Sequence, residues 1–301
     1  MIADAHQHFW DLANPHPWLT TELLPAFRYG DYAALRRNYL PEDYRRDAAR
    51  QRVVRTVHVE AEWRREDEVG ETRWLHALRA RHGLPTVVVA HARLERDDVD
   101  DVLAGHCAFP AVRGVRQKPA AAAGPGEVVR GAPGSMGDAR WRRGYARLER
   151  YRLSFDLQTP WWHLAEAAEL ARDFPRTPLV VNHTGLPADR TAAGLAGWRR
   201  ALETVAAQPN TAVKISGLGR PDHSWPRESN RQVVRDAIAV FGAERCMFAS
   251  NFPVDSLCAD FDTLFTAYAT FVADFPPAAR RALFHDNAVR IYRMDEADAP
   301  A

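Results

Sequence analysis

The feature that most constrains this chain is an alternation. Short runs rich in Val, Ile, Leu and Ala recur at Ile2–His6, Val53–Ala61, Thr86–Ala92, Val112–Lys118, Leu153–Gln158, Leu179–His183, Ala212–Ser216 and Cys246–Ser250. Between and after them lie longer stretches with apolar residues at three- and four-residue steps: Glu66–Arg81, Asp138–Arg150, Trp162–Asp173, Leu195–Ala207, Arg231–Phe241 and Leu257–Phe271. Strands alternating with helical crossovers must be parallel, and eight of them close into a (β/α)8 barrel. Gly83 and Gly242 follow two of the helical patterns as stop signals. A terminal helix over 277–292 closes a single α/β domain spanning 1–301.

Composition narrows the partners. Forty basic against thirty-nine acidic side chains leave a net charge of +1, so nothing draws the chain to nucleic acid or an anionic membrane. Cys107, Cys246 and Cys258 are odd in number and far apart, as reduced thiols in a cytoplasmic protein are. No leader and no run of eighteen apolar residues is present, which again points to the cytoplasm. A small molecule is the expected partner, with a homodimer as the default assembly.

On a barrel of parallel strands, chemistry collects where the strands end and the loops begin. Strand alternation through Asp4-Ala5-His6-Gln7-His8 throws Asp4, His6 and His8 onto one face, so that two imidazoles can converge on a common point. His58, Glu60 and Glu62 share a face of the second run; Glu60 reads as a ligand or base, or as a carboxylate paired with an arginine. Arg116 and Lys118 share a side of the fourth run, and the guanidinium fork of Arg116 suits a carboxylate or carbonyl oxygen. Asp156 points away from Phe155 and Leu157 and must be paired or functional, because an unpaired buried carboxylate is costly. Trp161 and Trp162 either wall a pocket or pack in the core, and His163 follows them. His183 ends an apolar strand, as a catalytic or metal-binding histidine does. Lys214 either donates to an oxyanion or neutralises a carboxylate such as Asp156. His223 lies in a loop, where histidines usually do nothing. Two loops bear on the mouth: 119–137, rich in Ala, Gly and Pro, reads as a lid or a variable surface loop, and Asn14–Tyr29, with Trp18 and Phe27, as a cap.

Asp4-Ala5-His6-Gln7-His8-Phe9-Trp10, Val180-Val181-Asn182-His183-Thr184-Gly185, Val213-Lys214-Ile215-Ser216-Gly217-Leu218 and Met247-Phe248-Ala249-Ser250-Asn251-Phe252-Pro253-Val254-Asp255, in this order and spacing, resemble the amidohydrolase superfamily. The resembling branch is the amidohydrolase-2 group, with its sugar-lactone and 2-pyrone-4,6-dicarboxylate lactone hydrolases. The resemblance implies a TIM barrel and a hydrolase opening a lactone of a small polar or carboxylate-bearing substrate. It implies one divalent ion, zinc suiting an open set of imidazoles, on His6, His8 and His183; relatives that work without metal leave a metal-independent site equally open. Two metals bridged by a carboxylated lysine at Lys118 would need more histidines than the chain offers.

One departure matters. Asn251 stands where most of the superfamily has a metal-binding, proton-accepting aspartate, and an amide is no general base. Glu60, Asp156, His183 and Asp255 remain as bases. The expected mechanism has Arg116 and Lys214 hold the substrate, His6 and His8 polarise its carbonyl, and His183 or Asp156 activate water. Asn251 also keeps two other readings open: a lyase such as a decarboxylase, and an inactive protein that binds a small acid.

Overall fold

Eight parallel strands pair in strict chain order: β1 (Ile2–Gln7), β2 (Val53–Val59), β3 (Val87–His91), β4 (Val112–Gln117), β5 (Ser154–Leu157), β6 (Leu179–Val181), β7 (Thr211–Ile215) and β8 (Cys246–Phe248). The computed structural model describes residues 1–22, 24 and 27–296. Residues 297–301 of the domain, and 23, 25 and 26 of the capping segment, lie outside the described residues. Around the strands run α1 (Pro17–Thr20), α2 (Pro41–Asp47), α3 (Gly70–His82), α4 (Val99–Cys107), α5 (Ala139–Tyr145), α6 (Leu164–Asp173), α7 (Ala192–Ala206), α8 (Arg227–Phe241), α9 (Phe261–Phe271), α10 (Pro277–Arg281) and α11 (Asn287–Ile291). The architecture is a (β/α)8 TIM barrel.

Helices α5, α7 and α9 start where a side chain takes up a free backbone N–H. Thr191 accepts from Gly194 at 3.1 Å ahead of α7, and Asp260 from Thr263 at 2.6 Å ahead of α9, which moves the α9 start from the expected Leu257 to Phe261. Gly83, at φ 71°, ends α3 in the left-handed conformation that its missing Cβ permits. Two helices escape periodicity: α2 buries only Pro41 and Tyr44, and α4 is nine residues with a Gly-His pair in its last turn. The expected 277–292 helix is interrupted by a wide π-type turn over Ala282–Asp286 between α10 and α11.

Inside the barrel, Ala3, Ala5, Val57, Val59, Val87, Val89, Val180, Ala212, Met247 and Ala249 pack together, and Ala288, Tyr292 and Met294 plug the end where the strands begin. Val57 and Val59 therefore face inward and His58 outward, where its Nε2 lies 3.1 Å from Glu71 of α3. The expectation that His58 shares a face with Glu60 fails because β2 ends at Val59 and the chain turns there.

Strands β8 and β1 meet without a ladder. A single bridge joins Gln7 to Phe252, while the Asp4 carboxylate accepts from Ser250 N at 2.8 Å and Ser250 Oγ at 2.6 Å, and from Tyr44 Oη at 2.8 Å. Asp4 is thus committed to the seam. The β1–β2 register shifts between Asp4 and Gln7, so strict alternation does not carry Asp4 to the same place as His6 and His8.

The 119–137 segment does not cover the mouth. Ala122 N donates to His163 Nε2 at 2.9 Å, Trp162 Nε1 donates to Ala122 O at 3.0 Å, and Arg130 pairs with Glu169 at 2.6 Å, pinning the loop to the flank of α6.

Candidate active site

A cavity of about 230 Å³ opens at the C-terminal end of the strands. Trp10, Trp18, Phe27 and Leu24 form an apolar wall, and His8, His183, Asn251, Arg28, Glu60, Glu62, Arg116, Lys118 and Gln158 form a polar one. The volume is below the ~300–1,000 Å³ usual for drug-sized ligands, which suits a single small ring.

Three imidazoles gather at the ends of β1 and β6. The ring centroid of His6 lies 5.0 Å from that of His8 and 4.6 Å from that of His183. His8 Nδ1 is 2.7 Å from Val59 O, and His183 Nδ1 is 2.9 Å from Ser216 Oγ. Both nitrogens of His6 are buried without a hydrogen-bond partner. All three are held well below the ordinary histidine value of 6.5, by burial first and then by a neighbouring cation: Lys214 for His6, Arg116 for His8, Arg28 for His183. They are neutral at neutral pH.

Asn251 and His183 each sit in the left-handed region, at φ 54° and 53°. Asn251 Nδ2 donates to Asp255 Oδ1 at 2.7 Å, and its Oδ1 is 3.3 Å from His8 Nε2. Asp255 lies behind the cavity wall. It also accepts from Tyr29 Oη at 2.7 Å and Gly217 N at 2.9 Å, and burial pushes its carboxyl up against the pull of Arg28 and these donors.

Arg116 lines the cavity with its donors engaged: Nε to Glu60 Oε1 at 2.7 Å, Nη2 to Glu60 O at 2.6 Å and Nη1 to Gln158 Oε1 at 3.1 Å. Burial raises the Glu60 carboxyl, but Arg116 and then Arg65 outweigh it and hold Glu60 well below the usual carboxylate range. Glu60 is the arginine-paired carboxylate, and Lys118 pairs with Glu62 beside it.

Two expected catalytic residues are elsewhere. Lys214 Nζ lies 2.6 Å from Asp156 Oδ2 in the barrel interior, both side chains fully buried. Tyr292 Oη donates to both Asp156 oxygens at 2.9 and 3.0 Å, and Asn182 Nδ2 to Oδ2 at 3.0 Å. Lys214 neutralises Asp156, and neither lines the cavity. Nor do Trp161 and Trp162: Trp161 packs against Gly197 of α7 and Trp162 anchors the 119–137 loop. The indoles on the wall are Trp10 and Trp18.

Sequence reasoning missed Arg28. Its Nη2 donates to Tyr29 Oη at 2.8 Å, whereas Nη1 is buried without a partner. The available signal was its place in the aromatic capping segment.

The donor set does not fit a resident metal ion. Among the described residues no group of three or more His, Cys, Asp or Glu is placed to hold one. The imidazoles and the amide of Asn251 bring no negative charge to a dication, and the carboxylates nearest them, Glu60 and Asp156, are already paired with Arg116 and Lys214.

Comparison with known proteins agrees with the barrel fold. The amidohydrolase family model matches residues 3–294. An uncharacterised protein of Sinorhizobium fredii is 40% identical over 97% of this chain and 98% of its own. An L-fucono-1,5-lactonase of Burkholderia ambifaria is 28% identical, over 97% of this chain and 95% of the lactonase. A crystal structure of an amidohydrolase from Burkholderia multivorans with bound HEPES is 26% identical with a TM-score of 0.81, covering 97% of this chain and 99% of that one. Another, from the same organism with bound zinc, is 27% identical with a TM-score of 0.79 and the same coverage. From β1 to the plug that closes the barrel floor, this chain belongs to the amidohydrolase family.

Proposed function

We propose that the protein is a hydrolase that opens the lactone of a small polar acid, of the size of a sugar acid. The observation that carries this reading is the juxtaposition, across one small cavity, of neutral imidazoles on His8 and His183 with the unpartnered Nη1 of Arg28. Guanidinium Nη1 polarises the lactone carbonyl and stabilises the oxyanion that forms on it. A neutral imidazole takes the proton of the attacking water and returns it to the ring oxygen as the carbon–oxygen bond breaks. Trp10, Trp18 and Phe27 cover the apolar face of the ring while Gln158, Lys118 and Glu62 meet its hydroxyl or carboxylate substituents. The 28% identical lactonases support a cyclic ester as substrate. No step is assigned to a metal, because the donor set does not fit one.

The test is proton release, followed with a pH indicator, on a panel of γ- and δ-lactones of sugar acids. At least one is opened by the wild type, and His183→Ala slows that reaction by about 10²–10⁴-fold. A panel left intact would overturn the reading. A decarboxylase on the same barrel is favoured by one feature, the amide of Asn251 in place of a water-activating carboxylate; carbon dioxide release from small aromatic or enoic acids would mark it.

A further inference from the structure

We infer that His8 and Asn251 together hold the attacking water, with His8 Nε2 as its proton acceptor and Asp255 as the positioning residue that fixes the amide. The inference rests on the hydrolytic reading and names the base that reading leaves open between His8 and His183.

Hydrogen-bond directions carry it. The partner of His8 Nδ1 is Val59 O at 2.7 Å, a carbonyl that can only accept, so Nδ1 carries the hydrogen and the neutral ring presents a bare lone pair at Nε2. The Asn251 amide is oriented in the same way. Its Nδ2 donates to Asp255 Oδ1 at 2.7 Å, which turns Oδ1 toward His8 Nε2, 3.3 Å away. Asp255 is itself held by Tyr29 Oη and Gly217 N. Two acceptors thus face each other on the cavity wall with no donor between them. An occupant that gives each acceptor its own hydrogen must supply two. A substrate hydroxyl has one, whereas a water has two, and a water donating both presents its lone pairs away from the protein, toward a carbonyl in the cavity.

His183 lacks this definition. Ser216 Oγ, 2.9 Å from its Nδ1, can donate or accept. When the serine donates, His183 keeps a hydrogen on Nε2 and serves the oxyanion beside Arg28.

The step balances as follows. Water oxygen bonds to the carbonyl carbon, one water proton passes to His8 Nε2, and the carbonyl π pair moves to oxygen. Collapse re-forms the carbonyl, breaks the ring carbon–oxygen bond, and the leaving oxygen takes the proton from His8 Nε2. Lactone and water become a hydroxy acid, whose carboxyl proton is released to solvent.

Neutron diffraction on deuterium-exchanged crystals of the wild-type protein, without substrate, tests the arrangement independently of any turnover. The expected map shows deuterium on His8 Nδ1, none on Nε2, and a water with its two deuterons toward His8 Nε2 and Asn251 Oδ1. Deuterium on His8 Nε2, or an amide rotated to put Nδ2 toward His8, overturns the inference even where lactones are hydrolysed. Kinetics on the best lactone supply the second arm, with circular dichroism confirming each fold. Asn251→Leu lowers kcat by about 10²-fold and Asp255→Leu by about 10-fold, both with KM within about threefold of wild type. A rise in KM with kcat intact would assign the two acceptors to substrate binding and sink the proposal. Where no lactone is turned over by the wild type, the hydrolytic reading falls, while the neutron map still decides the water site.

Discussion

Asn251 sets the electrical character of the cavity. With an amide there, the three imidazoles lie in the field of Arg28, Arg116 and Lys214, and the nearby carboxylates Glu60 and Asp156 are already paired with Arg116 and Lys214. Asn251→Asp adds the missing negative charge 3.3 Å from His8 Nε2. The variant is expected to retain zinc after dialysis that strips the wild type, read as metal content per chain. Which residues were legible in the sequence depends on height along the barrel axis. Glu60, His183 and Asn251 lie just past the last residues of β2, β6 and β8, and strand ends can be located from the sequence. Asp156 and Lys214 face inward too, but from within β5 and β7, where a side chain meets the interior packing rather than the mouth. Alternation tells inside from outside and is silent on depth. Arg28 belongs to no regular element, so no periodicity pointed to it.

At the scale of elements, β2 and α3 are joined by a group with an unusual titration. Glu71 Oε1 lies 2.8 Å from Ala61 N and 3.1 Å from His58 Nε2, and burial pushes the carboxyl up to about 7 from an ordinary 4.5. The folded state therefore holds this proton where the unfolded chain has lost it. Its contribution to stability is complete below 4.5 and disappears as pH rises through about 7. Glu71→Gln cannot titrate. The stability difference between wild type and this variant, from urea unfolding at pH 5 and pH 8, is expected to shift against the wild type by on the order of 3 kcal/mol at the higher pH. The strands themselves were readable to within two residues at most ends, because β-branched runs bounded by turns leave few alternatives. Helices α2 and α4 were not, since each shows too little of an apolar face to leave a pattern.

For the whole molecule, pH acts through buried histidines. His6, His8, His16, His58, His106 and His183 are all lowered by burial, His58 to about 3 and His106 to about 4. Each is neutral in the fold, while the unfolded chain takes up protons near 6.5. Stability is thus fully present above that value and falls as pH drops through it, by up to about 1.4 kcal/mol per pH unit for each histidine. Six such groups outweigh the opposite trend of Glu71, so the denaturation midpoint is expected to fall steeply between pH 6.5 and 5.5. The C-terminal plug is part of the same interior. Tyr292→Phe leaves Asp156 with only Lys214 and Asn182, and is expected to cost about 1–3 kcal/mol in unfolding free energy while the cavity side chains stay in place.

The seam between first and last strands has a consequence for synthesis. Asp4 waits for Ser250, His8 for Asn251, and Asp156 for Tyr292, so the earliest-made residues find their partners only when the tail emerges. A nascent chain of two hundred residues already carries all three of the clustered imidazoles, yet it has neither the amide that would face them nor the stopper for its floor. On the proposed reading, chemical competence arrives abruptly, in the last sixth of translation, and a prematurely terminated product is expected to be inert rather than weakly active.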